Sequence, residues 1–129
     1  MSAVVLDASA LVALLRGESG APIVAENVRG AAVSAVNFGE TAQRQYKAGT
    51  SRQEFEDVIA PLNLNTVSVD WAMALDAAEI REVARAKGLS QADCIWLALA
   101  KRMGVVAMTA DQKWLEIAGA VGVEVRVVR

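Results

Sequence analysis

Five short apolar runs, separated by segments of helical character, constrain the fold of this 129-residue chain more than any other feature. The runs are Ala3–Leu6, Ala31–Ala35, Thr66–Val69, Val105–Met108 and Val123–Val127. Each run predicts a β-strand. Because a helical segment lies between consecutive strands, the connections are predicted to be crossovers, which build a mainly parallel sheet covered on both faces. We therefore expect one three-layer α/β/α domain over residues 1–129.

Start and stop signals divide the intervening segments into helices. The predicted helices are Ala8–Leu15, Ala21–Val28, Asn37–Lys47, Ser51–Ile59, Trp71–Ala86, Ser90–Arg102 and Gln112–Ala118. Gly49, Gly88 and Gly104 follow three of them and are typical of residues that end helices.

The composition favours a compact core, since 54% of the residues are hydrophobic. No apolar run approaches the roughly 18–20 residues that a membrane-spanning helix needs. The first residues lack a basic segment and reach Asp7 too early for a signal peptide. These features predict a cytoplasmic protein with no membrane association.

The absence of histidine excludes much of enzyme chemistry. Ser-His-Asp catalysis and histidine-based cleavage of RNA are impossible, and Cys94, the only cysteine, has no partner for a disulfide or a thiolate zinc site. Ser9 has no histidine base to make it a nucleophile. The net charge of −2 gives no overall attraction to nucleic acid, although local basic groups can still bind phosphates. Small basic groups occur at Arg44/Lys47, Arg81/Arg85/Lys87 and Lys101/Arg102.

Four acids lie beside apolar sequence where helices are predicted to begin. They are Asp7, Glu40, Asp93 and Asp111. Helix capping can explain each one singly. Asp7 and Asp111 can accept hydrogen bonds from free backbone N–H groups, and the pairs Asn37/Glu40 and Ser90/Asp93 have the spacing of capping boxes.

The predicted topology, however, brings the four acids to one edge of the sheet. Asp7, Glu40 and Asp111 follow predicted strands, and the carboxyl ends of parallel strands share an edge. The crossover helix that contains Asp93 runs antiparallel to the strands and begins at the same edge. Convergence of four carboxylates creates repulsion that protons or cations must relieve, and an oxygen-only site suits Mg²⁺ or Mn²⁺. The pattern therefore favours a metal-dependent nuclease or phosphatase.

Four motifs in order also resemble the PIN domain family. They are Leu6-Asp7-Ala8-Ser9-Ala10-Leu11, Asn37-x-x-Glu40, Ala92-Asp93-Cys94 and Thr109-Ala110-Asp111, and they span essentially the whole chain. At this length the chain resembles the VapC-type toxins of toxin–antitoxin pairs. The resemblance implies a five-stranded sheet, Mg²⁺- or Mn²⁺-dependent endoribonuclease activity on an RNA substrate, a homodimer, and inhibition by a cognate antitoxin.

The resemblance also implies roles for individual residues. Asp7, Glu40, Asp93 and Asp111 match the acidic quartet that binds metal and carries catalysis, and Ser9, Thr109 and Asn37 match supporting positions. Some relatives place a further acid just after the fourth position. Gln112 and Lys113 stand there in this chain, and Glu116 follows one helical turn later, which leaves a second metal position open.

Two other classes of function remain open at this point. A receiver-like phosphoacceptor signalling domain is also a small α/β unit with an acidic Mg²⁺ pocket. In a catalytically silent PIN-like binding module, the four acids would only cap helices. The tryptophans Trp71, Trp96 and Trp114 lie in helical apolar patterns, which predicts core or dimer contacts rather than stacking on RNA bases.

Overall fold

The fold is described by a computed structural model, which covers residues 3–84 and 88–129, with only the backbone at 115 and 116. Within these residues the chain forms β1 (Val4–Leu6), β2 (Ala32–Ser34), β3 (Asn65–Val67), β4 (Val106–Thr109) and β5 (Val125–Val127). All four strand pairings are parallel, in the order β3-β2-β1-β4-β5. The five-stranded parallel sheet is confirmed.

Helices connect the strands in chain order. They are α1 (Ala8–Arg16), α2 (Ala21–Asn27), α3 (Ala35–Lys47), α4 (Arg52–Ile59), α5 (Trp71–Val83), α6 (Gln91–Met103) and α7 (Ala118–Val121), with short 3₁₀ helices at Ala60–Leu62 and Gln112–Glu116. Gly104 ends α6 in the left-handed conformation, at φ 68°, as its sequence position predicts.

Two hydrophobic cores, one on each face of the sheet, confirm the three-layer α/β/α architecture. On one face, α5 and α6 cover Val5, Ala32 and Ala107. On the other face, α1 and α2 cover Leu6 and Met108. Successive strand residues point to opposite faces, so β1 contributes to both cores, and every described residue of that strand is buried.

Helix α6 is anchored to the centre of the sheet by Trp96. Its indole Nε1 donates a hydrogen bond of 3.1 Å to the Val5 carbonyl oxygen, and its ring meets Trp114 edge to face with centroids 5.2 Å apart. Both tryptophans are buried, so their predicted core role is confirmed. Trp71 differs from them, because 81% of its surface is exposed.

Several predicted helix boundaries differ from the structure. Helix α3 begins at Ala35 rather than Asn37, because the Ser34 hydroxyl accepts a hydrogen bond from the Asn37 N–H and caps the helix earlier. The predicted helix 112–118 is a 3₁₀ helix followed by α7. The predicted end of the 71–86 helix lies outside the described residues, as do Arg85 and Lys87; the described helix ends at Val83.

No helix in the described part of the chain is long and apolar enough to cross a bilayer.

Candidate metal and catalytic site

The strand order creates a crevice at the carboxyl edge of the sheet. From β1 the chain continues outward to β2 and β3, whereas β4 and β5 lie on the opposite side of β1. Such a reversal between neighbouring strands is where ligands bind in open α/β sheets. Asp7 follows β1 and Asp111 follows β4, so these two acids stand on either side of the reversal.

A cavity of about 300 Å³ lies at this edge. It is lined by all four predicted acids and by two of the three predicted supporting residues, together with basic and small side chains: Asp7, Ala8, Ser9, Asn37, Glu40, Arg44, Gly88, Ser90, Asp93, Asp111, Lys113 and Trp114. We call this cavity the acid pocket. The fold thus brings together acids that lie up to 104 positions apart in the sequence.

Asp7 is the buried acid of the pocket. One carboxylate oxygen accepts hydrogen bonds from the Ala10 N–H (2.9 Å) and the Ser9 hydroxyl (2.7 Å), and the other accepts from the Thr109 hydroxyl (2.5 Å). Burial raises the pKa of Asp7 to about 6, and these hydrogen bonds act in the opposite direction. The predicted N-cap role of Asp7 is confirmed. Asp7 lines the acid pocket at the same time.

Ser9 and Thr109 connect Asp7 to the end of β4. The Ser9 hydroxyl lies 3.1 Å from the Thr109 hydroxyl and accepts a hydrogen bond from the Ala110 N–H. Thr109 in turn accepts from the Asp111 N–H at 3.1 Å. The two hydroxyls therefore fix the Asp7 side chain and the turn that carries Asp111.

Asn37 connects the start of α3 to the start of α6. Its amide nitrogen donates to the Ala92 carbonyl oxygen at 3.2 Å, and its amide oxygen accepts from the Ser34 hydroxyl at 2.6 Å. The predicted Asn37/Glu40 capping box is wrong, because Ser34 is the N-cap. Glu40 lies inside α3, within the predicted helix Asn37–Lys47, where it is half-buried and lines the pocket.

Asp93 and Asp111 form the more exposed side of the pocket. Ser90 and Asp93 make the predicted capping box at the start of α6, with bonds of 3.0 and 3.1 Å. Asp111 caps the 3₁₀ helix by accepting from the Lys113 N–H at 3.0 Å. Both capping predictions therefore hold, with Asp111 capping a 3₁₀ helix instead of an α-helix.

Lys113 lines the acid pocket, and the sequence pattern did not predict a role for it there. Its ammonium nitrogen lies 3.8 Å from an Asp93 oxygen, 3.6 Å from an Asp111 oxygen and 4.9 Å from the centre of the Trp114 ring. The lysine thus partly offsets the charge of two carboxylates that converge on one cavity. The signal in the sequence is a basic residue two positions after Asp111, close to where some relatives place a further acid.

The donor types around the pocket fit a hard divalent cation, because carboxylate, amide and hydroxyl oxygens are all present. The acids are not preorganised to coordinate a cation, however. In the described part of the chain, no three acidic, histidine or cysteine side chains are gathered closely enough to hold a metal ion. A cation could bind here if the carboxylates drew together and Lys113 moved away from Asp93 and Asp111. The side chain of Glu116, the candidate fifth acid, lies outside the described residues.

Comparison with known proteins identifies the family. The model of the PIN domain family matches residues 4–120, and the chain belongs to that family, whose members are generally nucleases. No curated protein matches the chain by sequence.

Several solved structures share this fold over nearly their whole length. A toxin–antitoxin complex from Klebsiella pneumoniae matches with a TM-score of 0.75 at 20% identity, covering 98% of each chain. FitAcB from Neisseria gonorrhoeae gives 0.70 at 20% identity over 95% of each chain. DNA-bound VapBC from Salmonella typhimurium gives 0.69 at 17% identity over 100% of each chain. At these identities the likeness establishes the fold.

Proposed function

We propose that this chain is an endoribonuclease that depends on Mg²⁺ or Mn²⁺ and acts as the toxin of a toxin–antitoxin pair. The observation that carries the proposal is the acid pocket, in which four carboxylates from distant parts of a PIN fold face one cavity. Capping explains three of these acids singly but does not require them to share a cavity. The full-length likeness to chains of solved toxin–antitoxin complexes supports the assignment as a toxin.

In this proposal Asp7, Glu40, Asp93 and Asp111 would hold the cation. The bound ion would supply an activated water and would offset negative charge at the phosphoryl group. The Thr109 and Ser9 hydroxyls keep Asp7 oriented, and a carboxylate of the quartet accepts the proton of the attacking water. A bond forms from the water oxygen to phosphorus while the bond from phosphorus to the 3′ oxygen breaks, and the leaving 3′ oxygen takes up a proton from solvent. The products therefore carry a 5′-phosphate and a 3′-hydroxyl.

On the same basis we propose two protein partners and a cytoplasmic location for this chain. A cognate antitoxin would inhibit the enzyme by covering the acid pocket. A second copy of the chain would form a homodimer, and the exposed Trp71 on α5 supports such a contact, because 81% of a large aromatic surface faces solvent.

The direct test is cleavage of RNA by the purified protein. We expect cleavage with Mg²⁺ or Mn²⁺, none with EDTA, and a loss of at least about a hundredfold for Asp7→Asn and Asp93→Asn, by analogy with the loss of a major charge-stabilising group. Asp57→Asn is the matched control, since Asp57 is exposed on α4 and hydrogen-bonds Gln53. Cleavage that persists in EDTA, or in both pocket variants, would overturn the assignment.

The same preparation distinguishes the two other classes of function. A silent binding module would bind no Mn²⁺ in calorimetric titration and would leave RNA intact. A receiver-like domain would form an acid-labile acyl phosphate on incubation with a small phosphodonor. We expect Mn²⁺ binding and no acyl phosphate.

A further inference from the structure

A second cavity opens beside the acid pocket and shares part of its wall. Its volume is about 490 Å³, and Ser9, Arg44 and Asp111 line both cavities. The remaining lining residues are Val12, Arg16, Glu18, Ala110, Gln112 and Arg129. We call this second cavity the arginine pocket.

Three arginines reach this cavity from distant parts of the chain. Arg16 lies in the last turn of α1, Arg44 on α3, and Arg129 after β5. Because 113 positions separate the first from the last, the sequence pattern indicated only Arg44, as part of a small basic group. The acids among the lining residues are Glu18 and Asp111, so the arginine side chains outnumber the acidic side chains by one.

Arg16 is held in place but keeps free donors. Its Nε donates to the Gln45 side-chain oxygen at 3.0 Å, and one terminal nitrogen donates to the Arg44 carbonyl oxygen at 3.3 Å. A guanidinium has five N–H donors in a fixed fork, so these two bonds leave others for a ligand. A positioned guanidinium is well suited to phosphate, which it can bind through two parallel hydrogen bonds.

Arg129 has an internal anion as its partner. Its guanidinium lies 2.7 Å from a Glu18 carboxylate oxygen, and the side chains are 47% and 35% exposed. An exposed ion pair of this kind contributes little stability and can exchange one anion for another. The Glu18 carboxylate thus stands where a phosphate could bind.

From these observations we infer that the arginine pocket binds the phosphodiester backbone of the RNA substrate, next to the phosphate held in the acid pocket. This inference rests on the proposed function. RNA is favoured over an acidic protein segment because its backbone presents a phosphate at every nucleotide. A strand leaving the acid pocket past Ser9 and Arg44 therefore brings its next phosphates to the arginines.

The test is the binding of a fluorescein-labelled single-stranded RNA in EDTA, measured by anisotropy over a range of salt concentrations. Working in EDTA separates binding from cleavage, and a gel confirms that the RNA stays intact. We expect Arg16→Ala, Arg44→Ala and Arg129→Ala each to weaken binding about threefold to tenfold, and to reduce the slope of log affinity against log salt by about 0.7 per lost contact. Glu18→Gln should tighten binding, because it removes the competing carboxylate.

Arg52→Ala is the matched control, because Arg52 is exposed on α4 and pairs with Glu56 at 2.8 Å. The inference is overturned if the three pocket variants bind RNA with wild-type affinity and salt dependence, or if the wild-type protein binds no RNA. It is also overturned if the variants lose binding to a polyglutamate peptide while RNA binding is unchanged, which would assign the pocket to a protein partner.

The two proposals can fail separately. If the wild-type protein cleaves RNA but the arginine variants bind RNA as the wild type does, only the inference about the arginine pocket is refuted. If those variants bind RNA more weakly and the protein cleaves no RNA under any metal condition, the inference about the arginine pocket is supported and the nuclease assignment is refuted.

Discussion

The Thr109 hydroxyl donates a hydrogen bond of 2.5 Å to Asp7, and this bond joins the ends of the neighbouring strands β1 and β4. Thr109 is fully buried, and Asp7 is nearly so. A buried carboxylate is stable only when hydrogen bonds or a cation compensate its charge. The threonine thus supplies part of that compensation in the metal-free protein.

Removal of this hydroxyl should destabilise the protein. We expect Thr109→Val to lower the free energy of unfolding at pH 7 by about 1–3 kcal/mol, because it leaves one carboxylate oxygen of Asp7 without its donor. Thr109→Ser keeps the hydroxyl and should cost about 1 kcal/mol for the lost methyl group. Urea titration measures both values. Equal losses in the two variants would show that the hydrogen bond contributes nothing.

The buried Asp7 carboxyl should make the stability of the metal-free protein depend on pH. Its pKa is about 6 in the folded state and has an ordinary value of 3.8. Between these values the folded protein holds a proton that the unfolded chain releases, so stability falls as the pH rises from about 4 to about 6. The loss is at most about 3 kcal/mol.

Urea titrations in EDTA across that range measure this effect. Asp7→Asn removes the titrating group and should flatten the dependence. A wild-type stability that rises between pH 4 and 6, with the same rise in Asp7→Asn, would contradict the assignment of the slope to Asp7.

Lys113 should compete with a divalent cation for Asp93 and Asp111. We expect Lys113→Met to tighten Mn²⁺ binding about threefold to tenfold, because the metal no longer displaces two exposed ion pairs of up to about 1 kcal/mol each. Isothermal titration calorimetry measures the change without RNA. Lys101→Met, which alters an exposed lysine in the last turn of α6, is the control and should bind Mn²⁺ as the wild type does. Weaker binding in Lys113→Met would assign the lysine a supporting role instead.

The exposed face of α5 should be needed for dimer formation. Trp71 and Leu75 are one helical turn apart and are 81% and 55% exposed. We expect the double variant Trp71→Ser/Leu75→Ser to be monomeric in size-exclusion chromatography with light scattering, with an unchanged circular dichroism spectrum. Val58→Ser, which alters another exposed apolar residue, on α4, should remain dimeric. A monomeric wild-type protein would refute the proposed dimer.

Local patterns predicted the elements of this fold well because they depend on neighbouring residues. Each of the five predicted strands overlaps an observed strand, and Ser90 with Asp93 makes the expected capping box. The error at α3 has the same local origin. Ser34 and Asn37 are both good caps, and the extended Ser34 backbone with its bond to the Asn37 N–H decides between them.

Features that depend on tertiary structure could not be predicted from local sequence patterns. The approach of Lys113 to Asp93 requires α6 and the 3₁₀ helix to lie side by side, and 20 positions separate the two residues. Helix α5 carries apolar residues on two faces, and its sequence pattern does not specify which of them packs on the core. The structure buries the face of Met73, Ala77 and Ile80 and exposes the face of Trp71, Leu75 and Val83. The shared pocket of the four acids was predictable because parallel topology alone brings them to one edge.

The buried Asn37 amide gives the acid pocket one rigid wall and leaves the other wall adaptable. Its amide nitrogen donates to the Ala92 carbonyl oxygen and so joins the start of α3 to the start of α6, while the Ser34 hydroxyl donates to its amide oxygen and fixes its orientation. We therefore expect Glu40 and Asp93 to move together. Asp111 instead caps a short 3₁₀ helix, whose hydrogen bonds have poorer geometry than those of an α-helix. Amide hydrogen exchange should accordingly be slower at residues 37 and 94 than at 113. Adjustment of the pocket to ligands of different size would then occur as a hinge motion of the segment after β4, while the α3–α6 wall keeps its shape.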